Sequence, residues 1–346
     1  MDDRRLGLLR AITKKQAFPA TGSFTNDLKT EGTKARVFFE RYFPNLGLVR
    51  ATLRSAVAGA ETLEPAEKDG YPWGTVGVAI DYRLRFSFPV AASLPARWDN
   101  WAANPEMPFA LIVRDTDLPR PLVAEYGASE AVSGRRDSAW LKAAGPFFGE
   151  LGLFLRNAQP HEGKLDTCTE ERLCRFCFAL ALYDEIARSR GAWSGTPLLS
   201  LHPGAATDDL LALCPPAAAA DLAAMAEAFQ GSQSQLLKGK AALNPWFSGG
   251  EGDLIVDDCY IDFKAARDPK RPSPSQWPRK LLGYVLLDTK DRYGIRTVGL
   301  YLARQYQLVT WSLQDLTKML TPDGQQRMSL VEARSELSHW LGLPRA

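Results

Sequence analysis

The sequence predicts a mixed fold of the α+β or α/β class, with a mostly helical N-terminal region followed by a central mixed sheet flanked by helices. Two observations predict it. Before Gly231, apolar residues recur three and four apart, which is typical of amphipathic helices. After Gly231, short apolar runs typical of strands alternate with helical stretches. We divide the chain ahead of this change of pattern, into residues 1–205 and residues 206–346. The second part ends in a helix.

Bulk composition excludes several classes of protein. The chain has 346 residues, a formal net charge of +2 and no apolar stretch near the roughly 20 residues that span a bilayer. Its first residues, MDDRRLGLLRAITKKQ, lack the apolar core of a secretory signal, and five cysteines do not suggest a disulfide framework. We expect a cytoplasmic protein with no membrane partner, in which binding of nucleic acid depends on local basic groups.

The N-terminal elements are predicted from their spacing of apolar residues. The segments GTKARVFFERYF and LVRATLRSAVAGAETL carry helix formers at helical spacing. In TVGVAIDYRLRFSF every even position from 76 to 88 is apolar, and this alternation predicts a half-buried strand. A helix starting near Thr75 is the alternative, because both neighbouring segments look helical. Asp81, Arg83 and Arg85 form either a functional cluster or a solvated face with a local ion pair, and we prefer the second interpretation.

Four further helices are predicted before the strands begin. The pair Cys174 and Cys177 has the CxxC spacing of many zinc sites, but Leu173 and Phe176 place it on an amphipathic helix. No second CxxC completes four ligands, so we interpret the pair as structural rather than as a zinc site, with Cys177 as a small core residue. The four helices are expected near residues 138–156, 169–190, 206–213 and 216–230.

A hairpin is predicted where two apolar runs meet at a tight link. The first run is DLIVDD, residues 253–258, and the second is CYIDFKAA, residues 259–266. Asp257 and Asp258 are typical turn residues and are expected at its tip.

The hairpin gathers three charged side chains at one end. Residues two apart in a strand share a face, so Asp262 and Lys264 lie together. Asp253 starts the first strand and therefore lies beside the end of the second. Two neighbouring carboxylates repel unless a cation lies between them, and Mg²⁺ prefers such oxygen ligands. A nearby lysine can orient water or stabilise charge in a transition state, which is the chemistry that hydrolysis of a phosphodiester needs.

Asp253 and the triplet Asp262-Phe263-Lys264 resemble the motif of the PD-(D/E)xK nuclease superfamily. In that family the first acid begins a strand, and the second acid and the lysine lie near the end of the next strand. The resemblance implies a restriction-endonuclease-like core. It also implies that Asp253, Asp262 and Phe263 bind Mg²⁺ or Mn²⁺, and that Lys264 assists water activation or charge stabilisation.

The resemblance covers about residues 217–318 and extends to the flanking helices. Glu227, on the preceding helix, is a candidate for the additional acid that some members carry. RecB-like members add a Gln-x-x-x-Tyr motif on the following helix, and Tyr284 occupies its tyrosine position. Lys280 stands where the glutamine is expected, so either Lys280 contacts the scissile phosphate or Gln276 replaces the missing amide. Glu227, Lys280 and Tyr284 thus join the candidate catalytic residues.

The densest basic run of the chain, FKAARDPKRPSPSQWPRK, follows directly after the motif. Basic residues and an aromatic ring in such a loop can contact a nucleic-acid backbone and stack on a base. A solvated loop is the alternative. The candidate nucleic-acid-binding residues are Arg267, Lys270, Arg271, Gln276, Trp277 and Arg279.

The resemblance implies a metal-dependent nuclease, with DNA as the expected substrate and host defence, mobile elements or repair as its setting. Residues 1–205 would recognise the substrate or a partner protein, or mediate a homodimer. One alternative is a catalytically inactive nuclease-fold protein that works in binding or assembly. Another is a regulatory or toxin-like sensor in the N-terminal region, with the nuclease as its effector. Fold resemblance does not choose among these.

Overall fold

A computed structural model describes residues 24–88, 139–158, 164–189, 195–248, 250–268, 276–322 and 328–343. Lys270 and Arg271 lie outside these ranges. The described residues form eleven α-helices, and none of these helices is long and apolar enough to cross a bilayer. The helices are α1 Phe24–Lys29, α2 Lys34–Tyr42, α3 Gly47–Ala56, α4 Trp73–Arg85, α5 Ala139–Asn157, α6 Thr167–Ser189, α7 Thr207–Ala212, α8 Pro216–Ser232, α9 Trp277–Leu287, α10 Leu313–Leu320 and α11 Leu330–Leu341.

The strands form one mixed sheet and one short ribbon. In the five-stranded sheet the order is β1-β4-β5-β6-β7, while β2 and β3 pair with each other. All neighbours are antiparallel except β5 and β6, which are parallel and are joined through α9, as parallel neighbours require a crossover connection. The strands are β1 Ala241–Leu243, β2 Trp246–Phe247, β3 Gly250–Glu251, β4 Leu254–Val256, β5 Cys259–Lys264, β6 Thr297–Leu302 and β7 Gln307–Ser312. The predicted mixed sheet with flanking helices is confirmed.

Helices from the first half of the chain cover both faces of this sheet. Ile261 and Phe263 of β5 face one core, which α4, α5, α6, α7 and α8 complete. Tyr260 of the same strand faces a second core, which contains α1, α2 and α3 together with α9, α10 and α11. Because successive residues of a strand point to opposite faces, β5 is buried on both sides. Asp262, in phase with Tyr260, points toward the face that α9 covers.

The strand predicted from the alternation of residues 76–88 is wrong, and the alternative helix is what the chain forms. Val76, Ile80 and Leu84 are even-numbered, but they also lie four apart, so a period-two pattern already contains a helical one. These three side chains and Ala79 are buried in α4. The intervening charged residues are therefore on the sides of a buried helix rather than on the solvated face of a strand.

The other predicted helices are confirmed with small shifts of their ends. The ranges 138–156, 169–190, 206–213 and 216–230 correspond to α5, α6, α7 and α8. Cys174 and Cys177 are both buried on α6, where they pack as core residues as predicted. Burial raises the pKa of the Cys174 thiol well above its ordinary value, which suits a packing role rather than a reactive one.

Candidate active site

The hairpin of β4 and β5 brings the two acids of the motif together. Its register pairs Leu254 with Ile261, and the same register carried one residue further sets Asp253 opposite Asp262. The Oδ2 atom of Asp253 accepts a hydrogen bond of 2.9 Å from the backbone N–H of Phe263. This bond fixes the Asp253 carboxylate across the end of β5. The predicted juxtaposition of Asp253 with the second strand is therefore present.

Asp262 is buried and is held by two lysines. Its side chain is 1% exposed, and Lys280 from α9 donates a hydrogen bond of 2.5 Å to Oδ1. Lys264 forms an ion pair with Oδ2, although off the direction of a hydrogen bond, and also donates to the carbonyl oxygen of Phe263 at 2.7 Å. Both ammonium groups are thus fixed on a carboxylate that water does not reach.

The electrostatics of this pair follow from burial and charge. Burial alone would raise the pKa of Asp262, but Lys264 and Lys280 outweigh it and hold that pKa below the ordinary value of an aspartate. Burial alone would lower the pKa of Lys280, yet the Asp262 carboxylate raises it above the ordinary value of a lysine. Asp262 is therefore ionised, and Lys280 is charged, over the whole physiological range.

A third acid, Asp81 of α4, lies in the helical layer on the other face of the sheet and interacts electrostatically with Asp253 and Asp262. Its Oδ1 atom is buried and has no hydrogen-bond partner among the described residues. Burial and then the Asp253 charge raise its pKa to about 8, and Asp262 adds to the shift while Lys264 and Arg85 oppose it. An unpaired buried carboxyl oxygen is costly, so its presence here points to a missing partner.

Arg85 and Asn244 attach α4 to the hairpin. Arg85 donates through Nε to the Asp81 carbonyl oxygen at 2.9 Å and through Nη1 to the Asn244 side chain. The Asn244 backbone N–H in turn donates to the Asp253 carbonyl oxygen at 3.2 Å. Asn244 has a φ of 50°, a conformation that asparagine tolerates better than most residues. These contacts fix the position of Asp81 relative to Asp253.

Tyr284 lies beside the site but does not contact its acids directly. Its hydroxyl shares a hydrogen bond of 3.2 Å with Thr25, and its ring packs on Tyr260 with the centroids 5.8 Å apart. A Cβ at Gly250 would lie 2.9 Å from the Tyr284 ring, so the ring packs directly on backbone. The Lys280 ammonium lies 5.4 Å from the centre of the same ring. Tyr284 therefore borders Lys280 rather than Asp262.

Glu227 is not part of this site. It lies on the exposed side of α8 and forms an ion pair of 3.2 Å with Lys164, both side chains being mostly exposed. The inward acid of that helix is Asp221, which pairs with Arg304 in the core. The structure therefore does not bring Glu227 together with Asp253 and Asp262. The further carboxyl that interacts with these acids is that of Asp81, which belongs to the charged cluster on α4.

The candidate nucleic-acid-binding residues are dispersed. Arg267 is half-exposed and is paired with Glu64 at 2.8 Å. Arg279 is buried and donates to the carbonyl oxygens of Phe43 and Pro44, so it joins α9 to the end of α2 instead of facing solvent. The remaining described candidates are Trp277, which packs partly buried on the second core, and Gln276, whose Oε1 is buried without a described partner.

The oxygen atoms of the site suit a hard divalent cation. Lys264 and Lys280, however, already contact the Asp262 carboxylate. In the ranges that the structure covers, no group of three or more His, Cys, Asp or Glu side chains is placed to hold a metal ion. Asp253 and Asp262 nevertheless supply carboxylate oxygens at the end of one hairpin. Oxygen donors of this kind are those that Mg²⁺ and Mn²⁺ prefer.

Comparisons of this chain with protein-family models, with curated proteins and with solved structures gave no match. Function must therefore be inferred from the side chains of the chain itself.

Proposed function

We propose that this chain is a metal-dependent nuclease that hydrolyses phosphodiester bonds, with DNA as its substrate. The observation that carries the proposal is the hairpin end, where Asp253 lies across from Asp262 and Lys264 contacts the same carboxylate. Asp81 interacts electrostatically with both acids, and its Oδ1 has no hydrogen-bond partner among the described residues. Two acids and a lysine at the end of one hairpin are the set of side chains that the resemblance implies.

Each residue has a defined role in this proposal. Asp253 and Asp262 would hold Mg²⁺ or Mn²⁺, which when bound lowers the pKa of a coordinated water and offsets the charge of the phosphate. Lys264 is 19% exposed and lies at the C-terminal end of β5, where its ammonium would orient the attacking water or stabilise charge on the phosphoryl oxygens. Its bond to the Phe263 carbonyl oxygen keeps it beside the acids.

The order of elements supports a restriction-endonuclease-like core for this region. Helix α8 precedes the strands, the β4–β5 hairpin carries the acids and the lysine, and α9 follows before β6. That order agrees with the one implied by the resemblance of the motif. The first acid directly precedes β4, and the second acid lies near the end of β5, which is close to the arrangement of the family.

A catalytically inactive binding protein is the second candidate, and one observation favours it. Lys264 and Lys280 together already neutralise Asp262, so the site is balanced without a divalent ion. A buried charge network of this kind can also serve only structure. Binding of nucleic acid without cleavage would fit this alternative.

The first test is cleavage of circular single-stranded DNA, duplex DNA and RNA by the purified chain with Mg²⁺ or Mn²⁺. We expect Asp253→Asn to lower the rate roughly 100-fold or more, because it removes one of the charges that hold the metal. Asp258→Asn is the matched control, since Asp258 is exposed at the tip of the same hairpin. It should cleave like the unaltered chain.

The outcome that contradicts the proposal is equally specific. Cleavage that Asp253→Asn leaves at the control rate would assign the activity to another site or to a contaminant. Absence of cleavage of all three substrates with either metal would favour the inactive binding protein.

A further inference from the structure

Lys280 is delivered to Asp262 by a rigid helix. It lies in the first turns of α9, where Leu281 and Leu282 are fully buried and fix the helix against the second core. Its side chain is only 16% exposed, and its ammonium makes a hydrogen bond of 2.5 Å to Asp262 Oδ1. Such a contact is not the transient pairing of a surface lysine.

Asp262 is neutralised without any metal. The ammonium groups of Lys264 and Lys280 both contact its carboxylate. A divalent ion that bound Asp262 would add two positive charges next to these ammonium groups. One of those ammonium groups must therefore weaken or leave its contact before an ion binds well.

We propose that Lys280 is a built-in counter-ion of Asp262 that competes with the divalent metal for Oδ1 and so sets the affinity of the site for the metal. This inference rests on the proposed function, because it concerns the same carboxylates. Lys280 is on this account a positioning residue and not a catalytic one. Lys264 keeps the role of assisting the reaction.

The structure offers Lys280 a second place to rest when the metal enters. The face of the Tyr284 ring lies 5.4 Å from its ammonium, within the range of a cation–π contact. Tyr284 is itself fixed by Thr25 and by the Tyr260 ring. A small rotation of the lysine stem can therefore exchange a carboxylate partner for an aromatic one without exposing the charge.

Calorimetric titration of the full chain with Mn²⁺, without nucleic acid, tests this inference. We expect Lys280→Met to bind Mn²⁺ at least about tenfold more tightly than the unaltered chain, because a competing charge within hydrogen-bond distance is gone. Lys280→Arg keeps the charge and should bind no more tightly than the unaltered chain. Lys290→Gln alters an exposed lysine in the turn after α9 and should leave the affinity unchanged.

The outcomes separate this inference from the proposed function. If the unaltered chain binds Mn²⁺ and Lys280→Met binds it equally or more weakly, the competition is refuted and the nuclease proposal stands. If no variant binds Mn²⁺, both are refuted. Adding Asp253→Asn to Lys280→Met should abolish the gain, since the ion would lose a ligand. Should Lys280→Met fail to fold, Lys280→Gln carries the same comparison.

Discussion

At the scale of single residues, Asp81 is the least expected member of the site. Its carboxyl faces the like charges of Asp253 and Asp262, and Lys264 and Arg85 oppose them. Burial and the Asp253 charge raise its pKa to about 8, far above the ordinary value of about 4. In the metal-free chain, Asp81 is therefore protonated at neutral pH, when the unfolded chain would have lost that proton.

This linkage predicts how stability depends on pH. Between about pH 4 and pH 8 the native state holds a proton that the unfolded state lacks, so the free energy of unfolding falls as pH rises, by on the order of 1 kcal/mol per pH unit. Asp81→Asn carries no such proton and should flatten the fall. Chemical denaturation with a chelator at pH 5, 6.5 and 8 measures it.

Other groups of the site do not obscure the measurement. The pKa of Asp262 is lowered, so its stabilising contribution is complete above about pH 4 and is lost only in more acidic solution. Asp258→Asn, at the exposed tip of the hairpin, should keep the original slope. If the free energy of unfolding falls with pH as steeply in Asp81→Asn as in the unaltered chain, then Asp81 is ionised over the whole range from pH 5 to pH 8.

How far the residues of the site could be predicted depends on their separation along the chain. Asp253, Asp262 and Lys264 lie within one hairpin, so local spacing was sufficient to group them. Asp81 joins from a helix far earlier in the chain, and no local pattern reports such a contact. The phase of α8 decides the position of Glu227, and local spacing does not report it. Glu227 lies six residues after the inward Asp221, which places it about 120° away around the axis.

At the scale of elements, the packing of α9 against α1 is the tightest constraint near the site. A Cβ at Gly283 would collide with the Phe24 ring, and it would lie 3.3 Å from the Phe39 ring. The glycine thus lets α1 approach α9 closely, one turn from Lys280. Phe24 also packs on Tyr284, with the centroids 5.7 Å apart. The position of α9, and with it that of Lys280, depends on this close approach.

We therefore expect Gly283→Ala to destabilise the chain by about 1–3 kcal/mol, because an added methyl group must displace an aromatic ring from a filled core. Gly149→Ala is the matched control. Gly149 lies within α5, and a Cβ there would meet nothing within 4 Å. It should stabilise the chain by about 0.5–1 kcal/mol through the helix preference of alanine. Urea denaturation of both variants measures the difference, and equal effects would contradict the close packing.

The elements themselves were predictable to different degrees. The helices α5 to α8 and the β4–β5 hairpin follow from periodicity and turn residues. Helix α4 could not be told from a strand, because residues four apart satisfy both periods when every second residue is apolar. Burial of Val76, Ile80 and Leu84 against α6 and α8 decides for the helix, and this tertiary packing is not visible in the local sequence.

At the scale of the whole molecule, a buried ion pair joins distant parts of the chain. Arg304, in the turn after β6, donates two hydrogen bonds to Asp221 of α8, at 3.0 and 2.7 Å. Tyr71 donates to the same carboxylate, and Arg304 also donates to the carbonyl oxygens of Leu63 and Ala265. Both charged side chains are almost completely buried. This network connects the segment before α4 with α8 and the sheet.

Asp221→Asn should destabilise the chain by about 3–5 kcal/mol, because it leaves the buried Arg304 charge without its counter-ion. Glu227→Gln is the control on the same helix, since the exposed pair with Lys164 is worth less than about 1 kcal/mol. Thermal and urea denaturation measure both. A loss in Asp221→Asn as small as that in Glu227→Gln would mean that the backbone carbonyls alone neutralise Arg304.

The hairpin also has a consequence for the order in which the chain folds. A turn of two residues joins β4 to β5. Asp253 and Asp262, at the far ends of these strands, can therefore meet early at a small entropic cost of loop closure. Lys280 arrives only when α9 docks, and Asp81 only when α4 docks across a much longer loop. During that interval two acids face each other with Lys264 as the nearby cation. We therefore expect the isolated hairpin to be less stable than the hairpin that is packed against α4 and α9.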